Sequence, residues 1–229
     1  MRNLFKTLIP LISLFAVTGC VKEMETSHNG GNTDSTVTNL PPPLIVELVR
    51  VILQIEDKNM KAPIEDATLL WDNVGHIPVM APDGHQVTLG EFASVTGKGN
   101  VVYTAQGTNI SIDLQGLIPS GIYSMWVLLF KRPGFHGNFD NLIGNGALGL
   151  TTSGGNNTFT ASPSGTASLS ATIHAQTLSV FGSVGNCLCS EYEIHLMGDY
   201  HSNNLIRNGT AGDPGFWITQ FFFPFLGGH

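Results

Sequence analysis

The chain reads as an all-β protein, an antiparallel β-sandwich or jelly-roll-like single domain with little helix. Three observations predict this. Apolar residues recur with a period of two across most of the chain. Gly/Pro turns separate the short apolar runs, and only 12% of the 229 residues are charged while 27 are Gly. Helical signals are confined to one short stretch.

Thr108–Gln115 is the clearest strand, with Ile110, Ile112 and Leu114 alternating with Asn109, Ser111 and Asp113. Gly165–Ala175 repeats the pattern, with Ala167, Leu169, Ala171 and Ile173 turned inward. Ile122–Phe130 is apolar on both faces, as a central strand covered on both sides should be. Pro119-Ser120-Gly121 before it is a tight turn. Leu44–Glu56 suits either period, and its Val and Ile content favours strand. Phe216–Phe225 makes a last strand. Thr88-Leu89-Gly90-Glu91 fits a capping box, which predicts one or two helical turns towards Ser94.

Before this domain lie two segments of different character. Arg2 and Lys6 precede an apolar core of about ten residues, Leu8 to Val17, too short for the roughly 20 residues that a bilayer demands. Residues 1–19 therefore read as a cleaved export signal. Residues 20–43 read as a tether: Ser27 to Thr36 holds almost nothing apolar, and Pro41-Pro42-Pro43 closes it. Residues 44–229 form the domain. Without residues 1–19, 8 Lys and Arg remain against 17 Asp and Glu, a net charge of −9. That balance excludes nucleic acid as a partner, since phosphate backbones require clustered cations.

Val17-Thr18-Gly19-Cys20 resembles the bacterial lipobox, and the resemblance implies a lipid-modified Cys20 as the mature N-terminus, anchored in a bilayer. Lys22, Glu23 and Glu25 resemble the Lys-plus-acidic cluster of surface-displayed Bacteroidota lipoproteins. The implied address is the cell envelope, at the outer membrane, with surface exposure an extension of the same resemblance.

Within the domain, Ser190–His201 concentrates ionisable residues. As a strand it sets Glu193, His195, Asp199 and His201 on one face, with Glu191 and Met197. We read this row as the wet face of an antiparallel strand. The alternative is a divalent-metal site, in a metal-binding protein or a metal-dependent hydrolase. At about 3.3 Å per residue only the i,i+2 pairs can converge, Glu193 with His195 or Asp199 with His201. Cys187 and Cys189 admit three readings: a disulfide across a sharp bend, two thiols, or a Cys/His metal site with His195.

Lys131–Leu150 reads as a 20-residue, Gly-rich connection, a length uncommon in compact domains and often functional. Its Phe135, His136, Phe139 and Asp140 suit stacking on a sugar or holding a small ligand; the plainer alternative is a loop packed over the sandwich end. His85 reads as part of a surface turn. No Gly-x-Ser-x-Gly elbow, His-Glu-x-x-His helix or dinucleotide fingerprint is present.

Ala81-Pro82-Asp83-Gly84-His85-Gln86, Gly116-Leu117-Ile118-Pro119 with Tyr123 and Trp126, and Glu193-Ile194-His195-Leu196 with Tyr200-His201 together resemble an uncharacterised family of bacterial exported proteins. That resemblance implies one exported domain and no mechanism. The sequence thus leads to a non-enzymatic envelope module that binds a ligand, glycan or neighbouring surface, with no required cofactor.

Overall fold

The computed structural model describes residues 42–104, 107–131, 134–135, 140–174, 177–180, 182–185, 192–206, 208–210 and 212–226. Residues Val37–His229 constitute one compact unit, and all that follows concerns it. The expected export signal, tether and lipidated Cys20, and the pair Cys187 and Cys189, lie outside the described residues.

The fold is all-β, as its periodicity predicts. Its strands are β1 (Leu44–Glu47), β2 (Val49–Arg50), β3 (Ile55–Glu56), β4 (Trp71–Asp72), β5 (Thr96–Thr104), β6 (Gly107–Gln115), β7 (Ile122–Lys131), β8 (Leu142–Ala147), β9 (Thr158–Thr160), β10 (Ala167–His174), β11 (Thr177–Val180), β12 (Gly182–Gly185), β13 (Tyr192–His201) and β14 (Trp217–Leu226). One antiparallel sheet runs β1-β5-β6-β10. The wider one runs β2-β14-β13-β7, with β8 and β9 sharing the far edge of β7 end to end. The inward residues of both sheets meet in one core, from Val101, Ile110, Ile112 and Leu169 on the narrow sheet to Met125, Val127, Leu196, Phe221 and Phe223 on the wide one. Each such side chain contributes roughly 1.5–3 kcal/mol on burial.

Leu44–Glu56, expected as one strand, is divided. β1 ends the narrow sheet and β2 ends the wide one, so the segment crosses between sheets along one edge of the sandwich. The capping box forms as predicted: Thr88 and Glu91 exchange side-chain and backbone hydrogen bonds, opening a helix α1 at Leu89–Ala93. Lys131–Leu150 is corrected. Leu142–Ala147 pairs with β7, so the segment is not one unbroken connection. Two glycines, Gly144 and Gly146, mask the strand in composition.

β14 carries a bulge. Gly198 pairs with Phe221 and Asp199 with Thr219, so Gln220 is an extra residue on β14. Were Gln220 a regularly alternating ladder residue, counting from Ile218 would turn Phe221, Phe223 and Phe225 outward; the bulge returns them to the core. Gln220 itself donates through Nε2 to Phe92 O at 2.7 Å, tying β14 to α1.

Candidate functional site

The ionisable row on β13 is not a wet face. β13 lies between β7 and β14 at the centre of the wide sheet, and its outer side is largely covered, with Glu193 and Met197 partly exposed. His195 is 4% exposed, Asp199 1% and His201 1%. Period-two alternation in a central strand therefore marks two buried environments, one apolar and one polar. A second, smaller cluster of Val51, Leu128, Phe130 and Phe222, with Phe135 and Met197 against it, covers part of the outer side.

The structure brings the predicted pairs to different fates. Glu193 and His195 bond directly, through Oε1 and Nε2. The His195 ring sits among Phe130, Phe135 and Phe222, at centroid distances of 5.0, 5.5 and 5.7 Å. Its Nδ1 finds no protein partner among the described residues. Asp199 and His201 are separately engaged. Thr219 Oγ1 donates to Asp199 Oδ1 at 2.7 Å, and His201 Nε2 lies 2.8 Å from Ser124 Oγ, which also accepts from Trp126 Nε1 at 2.9 Å. Burial pushes the Asp199 carboxyl up to about 7, against the opposing pull of hydrogen bonds from Thr219 and Trp126. Among the described residues, no three His, Cys, Asp or Glu side chains gather as a metal site.

Ser124, His201 and Asp199 are the residue types of a nucleophile, a base and an acid. A nucleophile must reach its substrate, and Ser124 is 0% exposed. Its hydroxyl is held by an indole N–H on one side and an imidazole on the other. The arrangement satisfies polar groups within a covered sheet face, and its chemistry as it stands is structural.

The Phe135 loop turns its described aromatic inward. Phe135 packs against Phe130 at 5.4 Å and against His195, closing the outer face rather than lining an opening. Gly134, at φ +94°, lies so close to the Glu193 carboxylate that a Cβ there would overlap it. Asp140 is exposed, and His136 and Phe139 lie outside the described residues.

An open groove of about 300 Å³ lies elsewhere, lined by Asp57, Lys58, Asn59, Leu69, Trp71 and Gln86, with Thr68. No sequence pattern announces it. Its pieces come from three separated segments with no shared motif, and a single Trp within a two-residue strand carries no periodicity. Three local devices build it. Asp72, buried beneath, accepts from the backbone N–H of Val74, Gly75 and Ile77, folding the turn after β4. That turn stacks His76 on Trp71 at 4.7 Å, with the rings 16° from parallel, and His76 Nδ1 is fixed 2.6 Å from Glu56 Oε1. At the opposite wall, Asp57 Oδ1 accepts from Lys61 N and Asn59 N, which holds its carboxyl below the usual range. Gln86 spends its Nε2 on Leu70 O at 2.8 Å, leaving Oε1 as an acceptor. The result is an indole half-buried between a stacked imidazole and a groove rimmed by carboxylate, ammonium and amides.

A second open cavity, of about 360 Å³, is lined by Pro82, Asp83, His85, Glu91, Pro119 and Ser120. The expected surface turn at His85 is present. His85 Nδ1 meets Asp83 Oδ1 at 2.6 Å while Nε2 meets Glu91 Oε1 at 3.0 Å. The hydrogen bond that His85 donates to the Asp83 carboxylate chiefly raises the His85 pKa. Because the carboxylates approach opposite ring nitrogens, they do not converge on a common point. The imidazole is a strut between turn and helix.

No family model matches the chain, and no curated protein matches it.

Proposed function

We propose that the protein is a lipid-anchored cell-envelope module that binds a saccharide in the Trp71 groove and catalyses nothing. The observation that carries this reading is the half-exposed Trp71 indole, stiffened by His76 and surrounded by Asp57, Asn59, Lys58 and Gln86. A sugar offers an apolar C–H face for the indole and a rim of hydroxyls for carboxylate and amide groups; sites of this kind are apolar with a few placed polar groups. The full burial of Ser124, Asp199 and His201 favours binding over hydrolysis. The anchor rests on the lipobox resemblance at Cys20, and with it the address at the outer membrane.

Glycan-array and cell-wall pull-down experiments with the wild type and Trp71→Ala test the site. Binding lost in Trp71→Ala and retained in Phe135→Ala is the expected result. Equal binding by wild type and Trp71→Ala removes the groove from consideration. Mass spectrometry of residue 20 tests the anchor separately.

A further inference from the structure

The crossing segment Leu44–Leu53 leaves an unusual number of apolar side chains exposed along the edge of the sandwich. Leu44, Ile45, Val49, Ile52 and Leu53 are all exposed, Ile45 at 69% and Leu53 at 62%. An edge segment of a soluble sheet normally carries charge to discourage contact. Here the only two charged residues are engaged: Glu47 pairs with Lys98 at 3.2 Å, and Arg50 donates to Ala93 O at 2.8 Å. The segment is net neutral within an acidic chain. Its inward residues Val46 and Val51 are buried, so the outward set is what remains after the core is satisfied.

We infer that this edge is a bilayer-contact surface, seating the domain against the zwitterionic lipid surface to which its own N-terminus is anchored. The inference rests on the lipid-anchor reading. The chain outside the described residues argues for this occupant: 23 residues separate Cys20 from Leu44, and Leu44 opens the first strand, so the apolar edge is the part of the domain joined most directly to the anchor. Apolar side chains on a net-neutral segment enter the headgroup boundary by burying area, and an acidic protein gains nothing from anionic lipid. A second copy pairing along β1 is the competing occupant.

The test uses the chain from residue 20 onward with Cys20→Ala, which retains the whole compact unit Val37–His229. It is floated with phosphatidylcholine–phosphatidylethanolamine vesicles, with and without phosphatidylglycerol. The expected result is co-flotation that survives about 0.5 M salt, gains nothing from phosphatidylglycerol and falls at least about tenfold in Ile45→Glu/Leu53→Glu. The milder Ile52→Ser/Leu53→Ser pair should fall in the same direction with its thermal transition unchanged. Failure of the unlipidated chain to float, or equal flotation by the variants, overturns the inference. So does a concentration-dependent dimer abolished by the same substitutions, which assigns the edge to a second copy. A bare Cys20 sulfur in the native protein, with flotation intact, removes the anchor and leaves the surface standing.

Discussion

Ser124 Oγ and His201 Nε2 lie 2.8 Å apart across neighbouring strands on the covered outer face of the wide sheet, with the Trp126 indole N–H donating to the same oxygen. A serine and histidine in this relation invite a catalytic reading. Their burial gives the opposite one: the hydroxyl joins the imidazole and the indole, and removing it takes a hydrogen-bond partner from each.

Ser124→Ala should therefore destabilise the fold by about 1–3 kcal/mol, because Trp126 Nε1 and His201 Nε2 both lose a partner in a dry setting. Urea denaturation followed by tryptophan fluorescence measures this. A hydrolase reading makes the contrary prediction, a stable variant that has lost turnover.

Asp199 gives the protein a pH dependence. Its folded pKa of about 7 is raised from 3.8, so the folded state holds the proton more tightly than the unfolded chain. The associated stability is fully present below about pH 4 and is lost as pH rises through about 7, amounting to as much as about 4 kcal/mol for a wholly buried group. Denaturation midpoints of wild type and Asp199→Asn, compared between pH 4 and 8, should diverge in that window. Parallel curves would refute it.

Gly198 lies beneath the Phe221 ring at the bulge, where a Cβ would overlap the ring itself. Gly198→Ala forces the phenyl out of a position in the main core, and a loss of about 1–3 kcal/mol follows from overpacking. Gly134→Ala, which collides with the Glu193 carboxylate from a left-handed φ, should also destabilise. Calorimetric melting of the two single variants would check both.

Thr88→Ala removes the side-chain half of the capping box that opens α1, while the backbone N–H of residue 88 can still donate to Glu91. The expected cost is about 1 kcal/mol, visible as a lowered melting temperature with the Trp71 groove unaffected. Because α1 is anchored independently by Gln220 on Phe92 O, the helix should survive.

Local pattern was enough for the strands at Thr108–Gln115, Ile122–Phe130 and Gly165–Ala175, for the turn at Pro119–Gly121 and for the cap at Thr88. In each, the decisive physics lies within a few residues: side-chain alternation on a pleat, a bend that suits Gly and Pro, a hydroxyl meeting an N–H three positions on. The all-β class follows from their sum.

What pattern could not decide is which strands become central, since that depends on partners distant in the chain. The same alternation in Glu193–His201 serves a wet face at a sheet edge and a sealed polar layer at its middle, and only β7 and β14 on either side, with Phe135 and Val51 above, choose between them. The Trp71 groove is likewise tertiary, assembled by Asp57, Leu69 and Gln86 from segments that no spacing relates. Sequence by itself determined a sheet protein and the clearest of its elements, because those rest on short-range pattern. The neighbours that bury a carboxylate, cover a serine or leave an indole open were settled only by long-range packing.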